Sequence, residues 1–158
     1  MKKVLFALAI LPLLAFASCS SDDDETPDVS DIDFAHNIEL LYGKWRATGV
    51  EGVGEDVIDL TQPPFDEIVP ATYVTFKKDG IYSSEGILGE GTGEYTTKDK
   101  TITVATGENK EDKISFEMTS LVAETAKIKI NAKSLDLPII PEELEEVTVV
   151  LTKQKEEK

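Results

Sequence analysis

The sequence has one cysteine, one histidine and one tryptophan among its 158 residues. A single cysteine makes no internal disulfide and no cysteine-based metal site. With His36 alone, zinc centres and Ser-His or Cys-His catalysis lack their usual parts. His36 reads as an ordinary residue of a short helix. Basic side chains are scarce, 16 Lys and Arg against 31 Asp and Glu, for a net charge of −15. So acidic a surface repels phosphate backbones, which argues against a nucleic-acid partner. Apolar residues make up an ordinary 41%, so a core depends on how they are patterned.

What is present begins at the N-terminus. Lys2 and Lys3 precede an apolar run, Val4 to Ala17, broken by Pro12. As a helix that run spans roughly 21 Å, short of the ~30 Å hydrocarbon core. It reads as a signal peptide, not a membrane-spanning helix. The stretch Phe16-Ala17-Ser18-Cys19 resembles the lipobox of bacterial lipoproteins. The resemblance implies cleavage before Cys19 and acylation there, with outer-membrane lipid as partner. Two or more acyl chains anchor stably, whereas one is marginal. Loss of residues 1–18 removes two lysines and no acid, deepening the net charge to −17.

The next segment, 19–31, is rich in Ser and Asp without apolar anchors, and reads as a disordered tether. Within it, Ser21-Asp22-Asp23-Asp24 resembles the export signal of surface lipoproteins in certain Gram-negative bacteria. That similarity implies a lipid-anchored protein on the outer membrane, facing the cell exterior. The acid run lacks the spaced ligands and turn glycine of a calcium loop.

Residues 32–158 read as the folded domain. Ile32, Ala35, Ile38, Leu41 and Tyr42 fall at helical spacing, with Asp31 or Asp33 as a cap and Gly43 as a stop. Eight strands follow: 44–51, 71–78, 81–87, 91–98, 101–106, 113–121, 125–132 and 146–153. Most are joined by short polar turns, and no long helix separates them, so a parallel sheet is improbable. Their alternation means one buried and one wet face. An eight-strand antiparallel meander closes into an up-and-down barrel and thereby removes its edges. Two connections, 52–70 and 133–146, are long and hold prolines 63, 64, 70, 138 and 141. Loops of that length often bind.

Gly43-Lys44-Trp45, at the start of the first strand after a helical turn, resembles the lipocalin signature. The long first connection, "YVTFKKDGIY" and "GTGEYTTKDKTITV" extend the likeness over about residues 38–153, to the lipocalin-like domain of bacterial outer-membrane lipoproteins. It implies an all-β, eight-stranded barrel with Gly43 and Trp45 at the floor. Lys153 stands near where lipocalins often set an arginine against the tryptophan.

Nothing in the sequence supports catalysis or a cofactor. Gly86, Gly89, Gly91 and Gly93 lack the Lys-Ser/Thr of a phosphate loop and read as a hairpin. The carboxylate pairs Glu142-Glu143 and Glu145-Glu146 read as a solvated face. The expected role is binding of a small hydrophobic or amphipathic ligand at the barrel mouth, such as a lipid or a bile-acid-like sterol. Candidate cavity residues are Phe76, Val104, Phe116, Met118, Ile128, Ile130 and Val149, with Val74, Ile102, Ile114, Val147 and Leu151 also inward. A one-residue slip in register would exchange the faces and bring Tyr73, Tyr82 and Tyr95 inside. The alternative roles are a filled barrel that meets a surface protein partner through its loops, and an adhesive open sandwich.

Overall fold

The computed structural model describes residues 34–106, 112–135 and 137–155. Cys19, Ser21, Asp22, Asp23 and Asp24, and the expected caps Asp31 and Asp33, lie outside the described residues. Helix α1 (Phe34–Leu41), which includes His36, leads directly into β1 (Gly43–Glu51). Then come β2 (Ile58–Asp59), a single helical turn α2 (Phe65–Ile68), β3 (Tyr73–Phe76) and β4 (Ile81–Glu85). The chain continues through β5 (Gly91–Lys98), β6 (Thr101–Thr106), β7 (Asp112–Leu121), β8 (Thr125–Asn131) and β9 (Glu146–Lys153).

Eight strands, β1 and β3 to β9, pair antiparallel in chain order, and β9 returns to β1 to close the ring. This is the expected up-and-down barrel. The ninth strand, β2, is two residues long and pairs with Gly49 and Val50 beyond the stretch of β1 that β3 covers. The first long connection is therefore not the bare loop its composition suggests. Asp59 accepts from the backbone N–H and the hydroxyl of Thr61, a side-chain turn that reverses the chain there.

Strict alternation fails twice, each time at a bulge. In β1 the register shifts between Ala47 and Gly49, and in β7 between Met118 and Ser120. An extra residue resets which face points inward. Met118 and Leu121, three apart, are consequently both buried. Ile114 is only half-buried against the core. The tyrosines do not move as a group either. Tyr82 and Tyr95 are buried beside Phe76, while Tyr73 is half-exposed.

The helix closes one end of the barrel. Trp45 is fully buried, and its indole N–H donates to the Leu41 carbonyl at 2.7 Å. Lys153 Nζ lies 5.1 Å from the Trp45 ring centroid and donates to the Leu40 carbonyl at 2.8 Å. Burial there lowers the Lys153 ammonium below the ordinary lysine value. Gly43 makes room for this arrangement, since a Cβ at that position would sit 3.0 Å from Lys153 Cε. Lys153 thus covers the tryptophan from the last strand.

An aromatic cluster fills the interior above that floor. Phe76 meets Tyr82 at 5.4 Å and Tyr95 edge-on at 5.2 Å, and Tyr82 meets Phe116 at 6.3 Å. Such tilted and edge-on pairs suit the ring quadrupoles. The Tyr95 hydroxyl donates to the Lys77 carbonyl at 2.8 Å. Burial, chiefly, with the nearby Tyr42 and Asp79 adding to it, pushes Tyr95 up to about 12.

Candidate binding site at the open end of the barrel

The seven candidate cavity residues are all in the interior, each no more than 4% exposed. Phe76, Val104, Phe116, Met118, Ile128, Ile130 and Val149 come together as expected, but as mutual packing. None of them lines the large cleft that the fold does form. The lumen is filled from below by Trp45 and the aromatic cluster. From above it is stoppered by loop residues: Leu60, Val69, Ile87, Leu88, Leu135 and Leu137 are buried at 3–6% exposure.

The cleft lies above this stopper, at the end opposite α1, with a volume of about 1260 Å³. Three segments wall it: the end of the β1–β3 connection, the β4–β5 turn and the β8–β9 connection. A second cavity, beside Arg46 and Asp66, measures about 30 Å³ and is far too small for an organic ligand.

Each wall has a local reason for its shape. The β8–β9 connection leaves β8 through a 3-10 turn, Ala132–Ser134, where Asn131 accepts from the Lys133 N–H at 3.0 Å. Two further turns follow, Ile140 N–H to Leu137 and Leu144 N–H to Pro141, at 3.2 and 3.1 Å. Pro138 and Pro141 hold φ fixed and offer no donor, so this segment turns repeatedly without forming a ladder. Thr72 joins the other two walls. Its hydroxyl donates to the Pro70 carbonyl and accepts from the Ile87 N–H, both at 3.0 Å. The β4–β5 turn is thereby pulled over the barrel, which buries Ile87 and Leu88.

The floor is apolar, with Ile87, Leu135 and Leu137, and half-buried Ile140 and Leu144 rise from it. The rim carries Glu85, Glu90, Glu142 and Lys133, all exposed. Among the described residues no group of His, Cys, Asp or Glu is placed to hold a metal ion. No helix among them is long and apolar enough to cross a membrane.

Both proline-rich segments singled out in the sequence reach this end of the barrel. The β4–β5 turn stands out in sequence only as a glycine hairpin, and its glycines mask the role of Ile87 and Leu88. The available signal was an adjacent apolar pair, Ile87-Leu88, inside a turn that solvent would otherwise surround.

No family model matches the sequence, and no curated protein does. Two solved structures are similar in shape. One is a lipocalin-like protein from Bacteroides uniformis, 17% identical, with a TM-score of 0.45, over 73% of this chain and 99% of that one. The other is an uncharacterized protein from Bacteroides eggerthii, 15% identical, with a TM-score of 0.42, over 72% and 99% of the two chains. The closed strand pairing of this chain, not these likenesses, carries its fold.

Proposed function

We propose that this protein is a binding protein, not an enzyme, and that its ligand is a small apolar or amphipathic molecule held in the mouth cleft. The observation that carries this reading is the 1260 Å³ cleft with an apolar floor. Small-molecule sites of about 300–1,000 Å³ bury most of a drug-sized ligand, so the space is ample. The lumen is not the site in this reading, because its side chains already fill it. Titration with n-decyl maltoside, a neutral probe, tests this. Ile140→Asp puts a charge against the alkyl chain and is expected to weaken binding at least ~10-fold, or ~1.4 kcal/mol. Phe116→Leu should lower stability and leave the affinity unchanged. The opposite pattern would place the ligand in the lumen and overturn the reading.

The exposed apolar residues favour a second reading. Val57 and Ile68, at 55% and 52% exposure, stand on the β1–β3 connection. They suit a loop surface that meets a protein partner. Probe binding that ignores Ile140→Asp, together with a partner lost on Val57→Asp, would favour this role.

The setting belongs to the proposal as well: a lipoprotein anchored through acylated Cys19 at the outer membrane and displayed outward, with 19–31 as its tether. Support comes from the Phe16–Cys19 stretch and the Ser21–Asp24 run. Cys19→Ser is expected to abolish palmitate labelling and move the protein from the membrane to the soluble fraction. Retention of the label on the variant would refute the anchor.

A further inference from the structure

The rim of the cleft is charged where its floor is apolar. Three carboxylates stand around the opening: Glu85 and Glu90 on the β4–β5 side, and Glu142 across from them on the β8–β9 side. Among the described residues Lys133 is the one cation that lines it. Among the described residues no strong ion pair consumes these carboxylates. Glu85 meets Lys44 at 3.7 Å with both side chains about half-exposed or more, a weak surface pair. The chain as a whole adds to the same sign, at −15. An alkyl chain on the apolar floor would therefore carry its head group into a negative field.

Resting on the mouth-cleft reading above, we infer that the ligand is a cationic amphiphile: an apolar body on Ile87, Leu135 and Leu137, ending in an amine or ammonium group at the rim. Anionic amphiphiles of the same shape, fatty acids and bile acids included, are rejected by Glu85, Glu90 and Glu142. Specificity is then a difference between heads on one body, set by repulsion as much as by attraction.

Three probes with one chain and three heads test this on the mature chain, residues 19–158 carrying Cys19→Ser, so that neither an acyl group nor the apolar signal segment competes. They are decyltrimethylammonium, decyl maltoside and decyl sulfate, each titrated calorimetrically below its micelle concentration. The ammonium is expected to bind about tenfold more tightly than the sulfate at low salt. The gap should narrow as salt shortens the screening length. Glu85→Gln/Glu90→Gln/Glu142→Gln should shrink the preference of ammonium over sulfate to about twofold. A charge-matched control, Asp79→Asn/Asp99→Asn/Glu124→Gln, alters only turns at the closed end and should keep the preference. Equal loss of preference in the two triple variants would overturn the inference, since net charge would then suffice. So would sulfate binding as tightly as ammonium. If instead Ile140→Asp leaves maltoside binding untouched, the mouth-cleft reading itself fails, and the inference falls with it.

Discussion

Trp45→Ala should destabilise the protein by about 3–5 kcal/mol, the largest stability loss expected of any single truncation in this chain. Trp45 is the largest of the fully buried side chains, and it joins three elements at once. It pairs with Val74 of β3 and Lys153 of β9 across the ladder. Its N–H holds the last carbonyl of α1. Removing the ring leaves a cavity that the closed ring of strands cannot collapse to fill, because β1 is tied on both sides. It also takes the ring face from beneath the Lys153 ammonium, a contact worth about 0.5–2 kcal/mol. The expected fall in melting temperature is on the order of 10–20 °C. Circular dichroism is the measurement, since the chain's one tryptophan is removed with the mutation. Lys153→Met serves as the contrast. It keeps the aliphatic cover over the ring, so it should cost far less than the loss of the ring. A Trp45→Ala loss below ~1 kcal/mol would mean that the floor is not held by packing, contrary to the cavity cost expected for a buried ring.

The same residues show why much of the fold was legible in sequence. Strand positions follow from side-chain alternation, and the turns between them from Gly, Asp and Lys pairs such as 79–80 and 99–100. Closure follows from having no helix to cover a second face. Trp45 announced itself through Gly43-Lys44-Trp45 at the start of the first strand. The filling of the lumen was not legible. Alternation tells which side chains point inward, and a hollow barrel and a packed one share that pattern. The difference lies in volumes, in the aromatic cluster of Phe76, Tyr82, Tyr95 and Phe116, and in what the loops do above it. Bulges at Thr48 and Thr119 were likewise silent, because an inserted residue leaves composition unchanged while resetting the phase. The mouth cleft was half legible: prolines marked two of its walls, but the contact of Thr72 with Ile87 spans 15 residues, and no local pattern encodes it.

That contact makes the second large effect specific. Gly86→Ala should destabilise the protein by about 2–4 kcal/mol and weaken decyl maltoside binding about tenfold, or ~1.4 kcal/mol. Gly86 has φ +90, which strains any residue with a Cβ. Beyond strain, the new Cβ would lie 2.9 Å from the Thr72 Cα, with the Thr72 hydroxyl nearer still. Thr72 has no room to retreat. Its hydroxyl is held by Pro70 and Ile87, and its carbonyl accepts from the Ala47 N–H at 2.9 Å. The β4–β5 turn must therefore move instead, lifting Ile87 and Leu88 off the barrel and opening the floor of the cleft. Gly89→Ala separates the two causes. Gly89 also has φ +90, but nothing lies within 4 Å of where its Cβ would be. It should cost only the backbone strain, about 1–2 kcal/mol, and spare binding. Equal losses in the two variants would show that the Thr72 contact constrains nothing. A destabilised Gly86→Ala protein that binds the probe at full affinity would show that the turn can lift without disturbing the site, and would move the ligand toward the β8–β9 wall.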